Sequence, residues 1–110
     1  MNREKITRDY KVGFADMQSS LRTLLSGDNR YLPSWSPDGR RVCVTTSEQN
    51  ILASLFRVAY PKVMDITISE QGSITIDCVS TAWLDWFGAK KLVEKFIASL
   101  EQELKKKDII

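Results

Sequence analysis

The sequence contains no histidine. That removes the commonest general base, the commonest metal ligand and every catalytic triad built on imidazole. Glycine and proline are sparse, five and three residues in 110, and no glycine-rich phosphate loop, zinc spacing or nucleophile elbow occurs. No apolar run approaches the roughly 18 residues needed to cross a bilayer. The opening segment MNREKITRDYK is charged throughout and lacks the apolar stretch of a secretory signal. These absences lead us to expect a cytoplasmic protein with no membrane partner and no cofactor. They also argue against an enzyme. Cysteine is scarce as well: Cys43 and Cys78 lie far apart in apolar segments without metal-ligand spacing, which predicts buried, reduced thiols.

What is present describes an ordinary globular domain. At 110 residues, 43% hydrophobic and 27% charged, the chain reads as one domain able to bury a real core. Sixteen basic residues against fourteen acidic ones give a net charge of +2, too little to imply nucleic acid.

Residues 6–14 (ITRDYKVGF) partly alternate and predict a short strand with Tyr10, Val12 and Phe14 on one side. Asp16 is placed to cap the helix that follows, in which Met17, Leu21, Leu24 and Leu25 recur at helical spacing until Ser26-Gly27. The stretch GDNRYLPSWSPDGRR reads as loop, with turn chemistry at Ser36-Pro37-Asp38-Gly39 and Trp35 as a plug over the open end of the core. RVCVTT predicts a strand over 41–46. Residues 51–60 fit a strand or a helix. The strand reading puts Ile51, Ala53, Leu55 and Arg57 on one face.

The strongest local signal is VMDITISEQGSITIDCV. Two alternating runs flank Glu70-Gln71-Gly72, a three-residue loop with glycine at the left-handed position. Pairing Ser69 with Ser73 sets Ile68 opposite Ile74, Ile66 opposite Ile76 and Met64 opposite Cys78, so six apolar side chains share one face. From about Asp85 or Gly88 to Lys106 an amphipathic helix carries Ala89, Val93, Phe96, Ile97, Leu100 and Leu104 as its buried stripe. Glu101 and Lys105 are spaced as an i,i+4 pair.

The order strand, helix, antiparallel strands, long helix is an α+β layout of β-α-β4-α form, with both helices packed on one face of an antiparallel sheet. It resembles the helix-grip architecture of START-like and birch-pollen-allergen-like proteins and the smaller TATA-box-binding-protein-like domains. The segments carrying the resemblance are YKVGFADMQSSLRTLL, MDITISEQGSITIDCVSTAW and FGAKKLVEKFIASLEQELKKK. The START-like resemblance implies a small hydrophobic ligand between helix and sheet, and the TATA-box-binding-protein-like one implies nucleic acid.

Three constellations remain. On the hairpin's other face Asp65 opposes Asp77. They form either a coupled acid pair with one raised pKa or a water-facing pair compensated by a cation, for which Arg57 is the candidate. Ile51, Ala53 and Leu55, with Val63 and Val79, would form an apolar strip on a wet face, the mark of an interface. Trp83, Trp86 and Phe87 sit between the last strand and the last helix, as lining of a ligand pocket or as a seal on the core. The leading expectation is a small non-catalytic binding domain that meets a protein partner or a second copy of itself. A carrier of a small hydrophobic ligand is the alternative, and nucleic-acid binding ranks last.

Overall fold

The computed structural model describes residues 2–28, 30–46, 62–80 and 88–107. Along them run β1 (Asn2–Asp9), α1 (Phe14–Ser26), β2 (Tyr31–Trp35), β3 (Arg41–Thr46), β4 (Lys62–Ile68), β5 (Ser73–Ser80) and α2 (Gly88–Lys106). The strands make one antiparallel sheet in the order β1-β5-β4-β3-β2. The chain therefore crosses from one edge of the sheet to the other through α1, then works back until β5 lies beside β1.

The β4–β5 hairpin is the centre of this arrangement, and its register is the one the alternation predicts: Ile68 opposite Ile74, Ile66 opposite Ile76, Met64 opposite Cys78. The Ser69 N–H donates to the Ser73 carbonyl at 2.9 Å and the Gly72 N–H to the Ser69 carbonyl at 3.0 Å. Gly72 closes the turn with φ at +86°, the conformation glycine adopts without penalty. All six apolar side chains are buried, and Val42 and Val44 of β3 extend their surface. Onto it α1 lays Met17, Leu21 and Leu25, and α2 lays Val93, Phe96, Leu100 and Leu104. Phe96 is fully buried and meets the Tyr31 ring edge-on, centroids 5.7 Å apart at 85°. The protein is thus an α+β domain with a short N-terminal and a long C-terminal helix on the same side of its sheet.

Several boundaries differ from the sequence expectation. The first strand is Asn2–Asp9 and not 6–14, and Phe14 opens α1. Gly13 is the N-cap, without a side-chain hydrogen bond; Asp16 lies inside the first turn, where its charge still suits the helix dipole. The stretch read as loop contains β2 at Tyr31–Trp35, so the sheet reaches five strands through an edge strand the sequence did not announce. The expected turn at Ser36-Pro37-Asp38-Gly39 is present, its Gly39 N–H donating to the Ser36 carbonyl at 3.0 Å.

Cys78 is buried, but Cys43 is exposed. Val42 and Val44 take the inward positions of β3, so the residue between them must face out. Glu101 is not held by Lys105: it accepts the Tyr10 hydroxyl at 2.9 Å. No described helix is long and apolar enough to cross a membrane. The predicted segment at 51–60, with Ile51, Ala53, Leu55 and Arg57, lies outside the described residues, as do Trp83, Trp86 and Phe87.

Candidate binding surface

Because both helices pack on one face, no described helix covers the other. The register sorts that bare face into rows of outward side chains. One row runs Leu32, Thr45, Val63, Val79, Arg3 across all five strands. Its apolar members are unusual for a wet surface: Leu32 is 56% exposed, and Val63 and Val79 are half-buried. Val63 and Val79 hold the outward positions expected of them, but the strand beside β4 is β3, so Val63 is flanked by Thr45 and not by a strand at 51–60; Leu32 continues the row.

The next row is Ser34, Cys43, Asp65, Asp77, Lys5. Asp65 stands opposite Asp77, as the hairpin register requires. Two carboxylates side by side at sheet spacing repel, and the fold answers with two guanidinium groups. Arg41 grips Asp65, Nε to Oδ1 at 2.8 Å and Nη2 to Oδ2. Arg3 grips Asp77, Nε to Oδ1 at 2.9 Å and Nη2 to Oδ2 at 2.6 Å. Arg41 is the register partner of Thr67 and Arg3 of Val79, so each arginine reaches back diagonally by two residues. A local two-fold through the midpoint of the Asp65–Asp77 pair exchanges the two bidentate clasps.

These clasps decide the chemistry. The hydrogen bonds from Arg41 hold the Asp65 carboxyl below its ordinary range, outweighing partial burial and the nearby Asp77 charge. Those from Arg3 do the same for Asp77. The acid pair with one raised pKa is thereby corrected to a pair held ionised, and neither member is a proton donor near neutrality. Among the described residues the compensating cations are Arg41 and Arg3; Arg57 lies outside them.

A pH dependence follows. A carboxylate with a depressed folded-state pKa stabilises the fold above its unfolded pKa, about 4. That contribution is lost as pH falls through the folded value. Asp28, clasped by the Arg30 side chain and backbone N–H, is held down to about 2 and belongs to the same window. Asp77→Asn is expected to lower the neutral-pH melting temperature by only a few degrees, because the pair is largely exposed. It should flatten the decline that sets in as pH falls below about 4. Thermal unfolding monitored across that range checks both statements.

Trp35 lies at the β2 edge on the helix side of the sheet, opposite buried Val42, where it covers the margin of the core. It is half-buried, packs against the core, and has the Arg22 guanidinium carbon 4.3 Å from its ring centroid. It borders a shallow cleft of about 260 Å³ at the sheet margin that also touches Cys43, Arg41 and Asp65.

Among the described residues, side chains of α2 and of the sheet pack together in one core. At the margin of that layer the described residues form a groove of about 310 Å³ between α2 and β1. Ile6, Val93, Ile97 and Ala98 form its floor; Glu4, Arg8, Lys90, Glu94 and Glu101 stand around it. Sequence reasoning missed Arg3, Arg41, Leu32 and the groove. The missing signal was knowledge of which strand lies beside which.

The described residues define a two-layer α+β domain with no helix on the second face of its sheet. No known family model matches the chain, and none of the curated proteins matches it in sequence.

Proposed function

We propose that the protein is a non-catalytic binding domain whose sheet face opposite the two described helices receives a protein partner. The single observation that carries this reading is the row Leu32–Thr45–Val63–Val79, apolar at three of its four positions, on a sheet face that no described helix covers. Exposed apolar side chains in contiguous array cost solvation and gain when a partner covers them. The flanking arginines are of a residue type enriched in interface cores. A nucleic acid fits less well: Arg3 and Arg41 are already neutralised by Asp77 and Asp65, leaving little unpaired charge to displace counterions.

A test uses the native chain. A thiol-reactive photo-crosslinker placed on Cys43, which is exposed on this face while Cys78 is buried, should capture a protein in extracts of the producing cell. Val79→Glu should abolish the capture without unfolding the domain. Capture that persists undiminished in Val79→Glu would count against the face.

A second reading, a small amphipathic ligand, is favoured by the apolar floor and charged rim of the α2–β1 groove. Tryptophan emission that stays constant across a panel of fatty acids would remove it.

A further inference from the structure

The sheet has two edges, and they are not equivalent. The Ser36 N–H donates to the Arg41 carbonyl at 2.8 Å, so by alternation Tyr31, Pro33 and Trp35 turn their backbone groups outward from β2. The Tyr31 N–H is taken by the Asp28 carbonyl at 3.1 Å, and Pro33 has none. That edge offers a neighbour one donor.

Among the described residues no strand pairs with the outer edge of β1. The Ser69 N–H bonds the Ser73 carbonyl, which makes the odd-numbered pairs of β4–β5 the hydrogen-bonded ones. The even-numbered residues of β5 therefore bond β1, through Glu4, Ile6 and Arg8. Arg3, Lys5, Thr7 and Asp9 direct their backbone groups away from the sheet. The Thr7 carbonyl is met there only by the chain's own Arg8 Nη1, at 3.3 Å.

The sequence of this edge is self-complementary. Written about Ile6, the strand reads Arg3-Glu4-Lys5-Ile6-Thr7-Arg8-Asp9. Antiparallel pairing with a second β1 in the register that centres on Ile6 places Arg3 opposite Asp9, Glu4 opposite Arg8 and Lys5 opposite Thr7, each twice. The Ile6 side chains meet at the axis. The backbone parity agrees: the odd residues that point outward become the hydrogen-bonded pairs of the new ladder. A slip of two residues toward the N-terminus would instead set Lys5 against Lys5 of the second copy, which disfavours that register.

We infer that two copies of this chain join edge to edge through β1, antiparallel, about a two-fold axis at Ile6. Ile6 lies in the floor of the α2–β1 groove, so pairing merges two grooves over the joined strands. α2 overlies β1 and β5 in each copy, which brings the two helix axes to about 10 Å, the ordinary spacing of packed helices. Ala98, small and exposed on the groove side, permits that approach. Arg3 keeps its clasp on Asp77 through Nε and Nη2, and its Nη1 remains for Asp9 of the second copy. The inference goes beyond the partner-binding reading: the edge lies apart from the open face, and pairing makes that face continuous across both copies.

Sedimentation of the full chain over a concentration series tests it. The wild type should show a concentration-dependent dimer. Arg8→Glu, which sets like charges against each other twice, should weaken it by at least about tenfold. Adding Glu4→Arg to Arg8→Glu should restore it, a recovery that a merely damaged fold would not show. Thr7→Pro removes an outward donor without removing a bond to β5, so the dimer should be lost while circular dichroism stays unchanged. In the wild type, amide exchange at Lys5 and Thr7 should slow as concentration rises. A chain that sediments as a monomer at every concentration would overturn the inference. So would a dimer indifferent to Thr7→Pro, or one that the charge exchange fails to recover.

Discussion

Gly72→Ala is expected to destabilise the protein by about 3 to 5 kcal/mol. Two separate costs meet at this residue. Its φ of +86° lies where a side chain is strained, a penalty of about 1 to 2 kcal/mol. A Cβ there would also fall 1.5 Å from the Val12 carbonyl oxygen and 2.6 Å from its carbon. That obstacle is backbone and not a flexible side-chain tip, so the hairpin turn or the β1–α1 connection must move. Val12 is itself buried in the core, and its displacement spreads into the packing. Since small domains are stable by about 5 to 15 kcal/mol, this one methyl group consumes much of the margin. Urea unfolding followed by circular dichroism measures it; a loss under about 1 kcal/mol would mean that the turn does not rest against Val12.

The second large effect is expected at Phe96. It is fully buried in the middle of α2, held between the sheet and the edge of the Tyr31 ring. Phe96→Ala removes the transfer energy of the ring and leaves a cavity that a packed helix cannot collapse into, a cost of about 3 to 5 kcal/mol. Tyr31 begins β2, so the lost contact should also loosen that edge, and Trp35 emission should report it before the global transition. Leu32→Ala offers the contrast. That side chain is 56% exposed, and its removal should leave stability nearly unchanged, because its place is on the open face.

The sequence yielded the hairpin and the last helix because their information is local. Six apolar side chains alternate around one three-residue turn, and one apolar stripe repeats along nineteen residues. The edges were harder for a physical reason. In β1 the inward positions are Glu4, Ile6 and Arg8, only one of them apolar, since the helix layer ends above this strand and leaves them at a groove. Without a buried face there is no alternation to read. In β2 the burial follows no alternating pattern and Pro33 interrupts the run, so the segment carries the marks of a loop.

The Asp65–Asp77 juxtaposition was legible from the register alone, but its cations were not. Arg3 and Asp77 are 74 positions apart, and they meet only because α1 carries the chain across the whole sheet before β5 returns to β1. The exposure of Cys43 was legible in principle. Val42 and Val44 flank it, and a strand that buries both must turn the residue between them outward.

All of this depends on which side chains the sheet turns inward and which it leaves on its open face, and the two cysteines report on that most directly. Cys43 belongs to the outward row and is exposed, while Cys78 belongs to the inward row and is buried. Timed alkylation of the native protein, read by peptide mass, should modify Cys43 rapidly and Cys78 only at the rate of unfolding. Rapid modification of Cys78 with Cys43 protected would reverse the two faces, and with them the partner surface.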